Sequence, residues 1–286
     1  MVCLKKNYFC SVLLNYFSSM DHLAIIYNEN QWRINAVSPL NNLHFNEVKL
    51  KQYATTIKQH LVRAVFANAS IKFTVSFEEL PYLKFSPEDP NGILLRVESV
   101  KESKTKTAYE AIFLTWGTHL TLKDAIHLPY MVERGEQRVG VSVKSSLQNI
   151  FDCNIKEYNF SQLQLLQIGF NFLNVDTSKS TDLFIIGYKI PQTDITQKVS
   201  FKFEVGEMRR IWNSLKKECL NELELVQVMY QNLQNQIFYM ITLDVTVFEL
   251  SEVILPNAEV RSNGTVKMKT AQAINSLFVT LNQYFR

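Results

Sequence analysis

The stretch Ile71-Lys72-Phe73-Thr74-Val75-Ser76-Phe77 decides the fold class. Its apolar residues alternate with polar ones, the period of a strand buried on one face only, because successive side chains of a strand point to opposite sides. Such one-sided burial belongs to antiparallel sheets, whose second face meets water. Just upstream, between Asn46 and Phe66, the residues Leu50, Tyr53, Ala54, Ile57, Leu61, Ala64 and Val65 recur at helical spacing, with Lys49, Lys51, Lys58 and Arg63 mainly off that stripe. An amphipathic helix therefore leads into a one-faced strand. The pattern predicts an α+β fold of mainly antiparallel, curved sheets with amphipathic helices packed on one face.

The same alternation returns at Val199, Phe201, Phe203 and Val205, and again at Ile241, Leu243, Val245 and Val247. Strands are also expected at Leu23 to Tyr27, Gln31 to Val37, Ile93 to Val100, Tyr109 to Trp116 and Leu183 to Ile190. Helices are expected on Leu163, Leu166, Phe170 and Leu173, on Met208, Ile211, Trp212, Leu215 and Cys219, and on Val226, Met229, Leu233 and Ile237. Ser161 and Gln164 have the spacing of a capping box, in which each side chain satisfies a free backbone donor of the other. Asn263-Gly264 reads as a two-residue hairpin turn, since both residues tolerate positive φ. A strand from Thr265 to Lys269 follows, then a helix with Ile274, Leu277, Phe278, Leu281 and Phe285.

Composition narrows the function classes. With 286 residues, 47% of them hydrophobic and 20% charged, and only 8 Gly and 7 Pro, the chain can bury a full core and should be ordered throughout. Cys3, Cys10, Cys153 and Cys219 have neither zinc spacing nor disulfide density, which fits a reducing compartment. Lys5-Lys6 followed by Tyr8, Phe9, Val12, Leu13 and Leu14 has the order of a signal peptide, but Asn7, Ser11 and Asn15 interrupt it and no small-residue cleavage site follows. The sequons at Asn68, Asn159 and Asn263 are expected as chance triplets. No apolar run approaches the roughly 20 residues that span a bilayer, so a soluble protein with no membrane partner is expected.

Enzyme chemistry finds little support. Neither GxxxxGK[ST] nor GxGxxG occurs. His119, Asp124 and His127 could share one side of a short helix, yet their spacing matches no strong ligand motif, so surface histidines are expected rather than a metal. Cys153 has no histidine beside it in sequence and reads as an inert thiol. Trp32, Trp116 and Trp212 fall in apolar-periodic segments and read as core. No catalytic residue, metal or cofactor is assigned.

Basic residues are the remaining candidates. Lys72, Lys198, Lys202, Lys267 and Lys269 occupy the polar positions of one-faced strands, so in a shared sheet their ammonium groups would point to one side and meet DNA phosphates without sequence preference. Arg134, Arg138 and Lys144 form a second candidate patch in an expected loop from Glu133 to Val143. A plain solvated face, diluted by acids such as Glu204, is the competing reading. The strand after Asn263-Gly264 is a candidate sheet edge for a protein partner, with Val266, Met268, Leu277, Phe278 and Leu281 as its apolar contacts; ordinary core is the alternative for these five.

These residues also carry a resemblance. Leu23 to Tyr27, Gln31-Trp32, Ser38-Pro39-Leu40 and Lys51-Gln52-Tyr53 resemble, in that order, the start of the folded part of the centromere protein L family. Leu147 to Cys153, with Phe151-Asp152-Cys153, is similar to the family's central segment. Ile211-Trp212-Asn213-Ser214-Leu215 matches a later helix, and the ending on Gly264, Val266 and Lys267 is similar too. Family members carry a long polar tail ahead of the folded part, where this chain has the apolar Met1 to Asp21. Residues 1–21 are thus read as an N-terminal extension with no assigned role, and 22–286 as the family's α+β domain, with a subdivision near Asp152. The resemblance implies a non-enzymatic scaffold of the inner kinetochore in the nucleus that pairs with centromere protein N. It further implies contact with other subunits of the constitutive centromere-associated network and with centromeric nucleosomes and duplex DNA. A generic nucleic-acid-binding module outside the kinetochore is the second reading, and a hydrolase or transferase built on His119, Asp124 and His127 the third.

Overall fold

The computed structural model describes residues 21–28, 31–65, 72–101, 104–117, 122–190, 198–218 and 221–284. Residues 1–20, His119, Cys3, Cys10, Cys219 and the sequon residue Asn68 lie outside them. The chain divides into two compact units, one of residues 32–158 with the segment up to Ile25, the other of residues 159–286 with residues 26–31. Asp21–Leu23 is a 3-10 turn leading into a short helix α1 (Ala24–Tyr27), not the expected strand. A run of five residues is too short for periodicity to separate the two.

The first unit contains β1 (Trp32–Val37), β2 (Leu40–Asn41), α2 (Glu47–Val65), β3 (Lys72–Leu80), β4 (Gly92–Lys101), β5 (Lys104–Leu114), β6 (Ala125–Ile126), β7 (Tyr130–Gly135), α3 (Gln137–Phe151) and β8 (Ile155–Glu157). Its sheet runs β8-β1-β7-β5-β4-β3, antiparallel at every pairing. Helix α2 buries Tyr53, Ile57 and Leu61, and α3 buries Val139, Val143, Leu147 and Phe151. Both pack onto Phe73, Ile93, Leu95, Val97, Ala111, Phe113 and Met131 of one sheet face. Burying that much apolar side chain, at about 1.5–3 kcal/mol each, is what holds two separate helices on the strands. In β3 the expected alternation holds, with Phe73 buried and Lys72, Thr74 and Ser76 exposed. By contrast, every residue of β5 from Ala108 to Leu114 is buried, so this strand is covered on both faces.

The second unit contains α4 (Gln162–Val175), β9 (Leu183–Lys189), β10 (Lys198–Glu204), α5 (Val205–Leu215), α6 (Glu222–Ile241), β11 (Glu249–Ile254), β12 (Ala258–Arg261), β13 (Thr265–Met268) and α7 (Ala271–Asn282). The strands run β10-β9-β11-β12-β13, again antiparallel. Helix α4 starts on the expected capping box of Ser161 and Gln164, and α6 on a second one of Asn221 and Glu224. These satisfy backbone donors that a helix start otherwise leaves open.

Two expectations fail locally. Ile241 closes α6, Thr242 turns left-handed at φ 57°, and Val245–Val247 is a 3-10 turn begun by Asp244, so no strand covers 241–247. Ile241 lies one helical turn after Ile237, so the same apolar residue fits both periods and the longer helical repeat wins. The hairpin after β12 is a three-residue loop, with Gly264 N–H donating to Arg261 O at 3.1 Å and only Gly264 at positive φ, 78°. This is the longer hairpin class, a turn followed by a left-handed residue that glycine adopts without Cβ strain.

Candidate functional site

Strand register decides which basic residues converge. In the second unit Lys202 stands opposite Ile185, Ile185 opposite Ile254, Ile254 opposite Glu259, and Glu259 opposite Lys267. Residues in direct register share a face, so Lys198, Lys202 and Lys267 lie on one face, opposite the one where Phe203, Ile186, Val253, Val260 and Val266 are buried. Lys189 and Arg261 join them, and the alternation in β9 and β12 was the signal for both. The face is not uniformly positive. Lys198 Nζ is 2.9 Å from the largely buried carboxylate of Glu252, which Arg261 approaches at 3.3 Å, and Arg261 also reaches Glu259 at 2.5 Å. Lys269 donates its ammonium to Pro256 O at 2.6 Å. Lys202 is exposed and Lys267 half-buried.

Lys72 is exposed on β3 of the first unit. Arg134, Arg138 and Lys144 do not form a loop patch as expected: Arg134 lies within β7, next to its last residue, and the other two lie on α3. The strand continues because Met131 and Val132 pair with β5, and the helix follows because Val139, Val143 and Leu147 recur at its period. Glu110, almost fully buried, takes Arg96 at 2.8 Å and Arg134 at 2.6 Å, one on each side across the sheet. The Arg134 guanidinium also lies 5.2 Å over the buried Trp32 ring. Lys144 pairs with buried Glu133 at 2.8 Å and approaches Glu157 at 3.8 Å. A carboxylate in low dielectric needs such partners, so Arg134 and Lys144 serve the fold, whereas Arg138 is exposed.

The five apolar residues named for a partner are at most 1% exposed: Val266, Met268, Leu277, Phe278 and Leu281 are all core. Their apolar area is spent inside the chain, the alternative already open for them. Open backbone lies elsewhere. Among the described residues no strand pairs with the outer flank of β3 or of β10, and each presents unpaired N–H and C=O groups to another chain. Large apolar side chains are also open on the end of α6, where Phe238, Tyr239, Met240 and Ile241 are 48 to 85% exposed.

Asp124 is exposed, His127 half-buried, and their segment is a bend and the short strand β6 rather than a helix. Among the described residues no group of three His, Cys, Asp or Glu side chains is placed to hold a metal. Burial, helped by the neighbouring Asp152 charge, pushes the Cys153 thiol up to about 11.

This geometry defines a two-unit α+β protein whose exposed features are open strand edges and mixed-charge sheet faces. The family model for centromere protein L matches residues 26–283, and the chain belongs to that family. It is similar to centromere protein L of Xenopus tropicalis, 21% identical over 255 residues that cover 83% of this chain and 72% of the relative. It is also similar to those of Danio rerio, 20% over 285 residues covering 92% and 76%, and Gallus gallus, 21% over 270 residues covering 88% and 78%. Family membership supports a role as a centromere protein.

Proposed function

We propose that this chain is a non-enzymatic scaffold subunit of the inner kinetochore, acting in the nucleus. In this reading it forms a heterodimer with a centromere protein N-like subunit, joins other subunits of the constitutive centromere-associated network and helps anchor them to centromeric nucleosomes and duplex DNA. The observation that carries the partner reading is the seven-residue edge β10, paired to β9 along its whole length and open on its other flank among the described residues. Such an edge takes a strand from another chain through main-chain hydrogen bonds. Lys72, Lys202 and Lys267 are the basic residues best supported for phosphate contact, since none of the three has a carboxylate within ion-pair distance among the described contacts.

The test is co-purification with a centromere protein N-like subunit of parent, Ser200→Pro and Phe201→Pro. Adjacent strand residues direct their N–H groups to opposite flanks, so one proline removes an outward donor and the other an inward one. The outward variant should keep its melting transition and lose the complex. Two folded variants that both bind the partner at parental affinity overturn the β10 interface. Duplex binding without any co-purifying centromere subunit would favour the generic nucleic-acid module.

A further inference from the structure

The open edge of the first unit carries the same chemistry read in either direction. β3 contains Lys72-Phe73-Thr74-Val75-Ser76-Phe77-Glu78. Turned antiparallel on a copy of itself about Val75, Lys72 meets Glu78, Phe73 meets Phe77 and Thr74 meets Ser76, each pair twice, with Val75 on Val75. Directly opposed residues share a face. The charged and hydroxyl pairs therefore lie on the solvent face, where Lys72, Thr74, Ser76 and Glu78 are exposed. The apolar pairs lie on the helix-covered face, where Phe73 is buried but Val75 and Phe77 are only half-buried. Among the described residues neither Lys72 nor Glu78 has an opposite charge within ion-pair distance. Arg96, diagonal to Glu78 across β4, is held by Glu110 at 2.8 Å. Edge strands are commonly blunted by proline, a bulge or shortness. β3 has none of these: it is nine residues long, lacks proline, and keeps register with β4 from Lys72 opposite Val100 to Leu80 opposite Gly92 without a shift. β10 repeats the pattern from Lys198 to Glu204, but Glu252 holds its Lys198 at 2.9 Å, so that charge is taken up within the chain.

We propose that β3 is the contact of a symmetric homodimer, pairing antiparallel with β3 of a second copy of this chain about Val75. A twofold axis at Val75 generates the whole contact, so one patch serves both copies and association closes at two. Main-chain hydrogen bonds join the two sheets, two Lys72–Glu78 pairs fix the register, and the half-open Val75 and Phe77 gain cover. This inference goes beyond the β10 interface, which lies in the second unit, and does not depend on it. In the dimer Lys72 serves Glu78 of the second copy, so its phosphate contact belongs to the monomer, while Lys202 and Lys267 are unaffected.

The test is sedimentation velocity on the full-length protein from about 1 to 200 μM, since one short strand per copy suits micromolar association. The parent should pass from monomer to dimer over that range. Lys72→Glu and Glu78→Lys, at exposed positions that leave the melting transition unchanged, each set like charges opposite one another and should weaken the dimer about tenfold or more. An equimolar mixture of the two single variants should dimerise again, because every opposed charged pair in the mixed dimer is then Lys with Glu. Glu204→Lys on β10 should leave the dimer as it is. A parent that stays monomeric throughout overturns the proposal, as does a mixture no more associated than either variant alone. Loss of the dimer in Glu204→Lys overturns it too, placing the contact head-to-tail between β3 and β10.

Discussion

The Tyr109 hydroxyl donates to Glu133 Oε2 at 2.6 Å, both groups buried between the sheet of the first unit and α3, while Lys144 holds the other oxygen at 2.8 Å. Burial, and then the Glu133 charge, raise the phenol well above its ordinary range, so it stays protonated and keeps donating. Tyr109→Phe should cost about 1–2 kcal/mol, the loss of one donor to a buried acceptor. Lys144→Ala should cost more, roughly 3 kcal/mol, because it leaves a buried carboxylate without its cation. Urea unfolding of both variants decides the ranking.

Gly140 of α3 faces that same ring. A Cβ built there would stand 2.8 Å from Tyr109 Cε2. Gly140→Ala should therefore destabilise by about 1–3 kcal/mol, although alanine is the better helix former by about 1 kcal/mol. A raised urea midpoint would contradict the packing.

In the second unit, Arg209 closes the end of α4. It donates to Leu173 O, Ser178 O and Asp176 O and pairs at 2.8 Å with the Asp176 carboxylate, itself 2% exposed and also bonded by Asn257. These carbonyls lie at or just beyond the helix end, where a cation is favoured. Arg209→Ala should cost about 2–4 kcal/mol and Arg209→Lys nearly as much, since one ammonium cannot replace the fork. Thermal melts of the two variants test this.

Glu222 gathers the amides of Gln167, Asn171 and Gln283, each at 3.0 Å, joining α4, α6 and the chain end after α7. Burial raises its pKa, but these three bonds and the Lys216 charge outweigh it and leave it below its ordinary value of 4.5. A depressed carboxylate stabilises the fold above its unfolded pKa, and that contribution is lost as pH falls through the folded value. Parent stability should thus fall more steeply than that of Glu222→Gln on acidification below about pH 4.5. Parallel curves in acid denaturation would contradict the network's dependence on charge.

Cys153 should alkylate slowly in the folded protein at pH 8, because little thiolate exists when the pKa is about 11. Iodoacetamide labelling mapped by mass spectrometry should show fast reaction at this position only after unfolding.

Legibility in the sequence followed the range of the interaction involved. The stripe Tyr53, Ile57 and Leu61, the alternation around Phe73 and the capping box of Ser161 and Gln164 each involve neighbours within a few turns, and they read true. Leu23 to Tyr27 and Ile241 to Val247 misled because short apolar runs satisfy both periods at once. The basic residues were legible as outward-facing, but their charge balance was not: Glu133 and Lys144 lie on different elements, and Glu252 reaches Lys198 from 54 positions away.

By itself the sequence determined the α+β class, the positions of most helices and strands, the alternating inward and outward faces, and the family. Those follow from backbone geometry repeated every two or 3.6 residues and from residue order along one chain. Only the tertiary structure decided that β3 and β10 are edges among the described residues, that Val266 and Met268 are core, and that Arg134 and Lys144 neutralise buried carboxylates. Each of these depends on which distant segments pair, as when Arg33 comes opposite Glu133. Pairing order is settled by the burial of all strands together, a quantity that no local window contains.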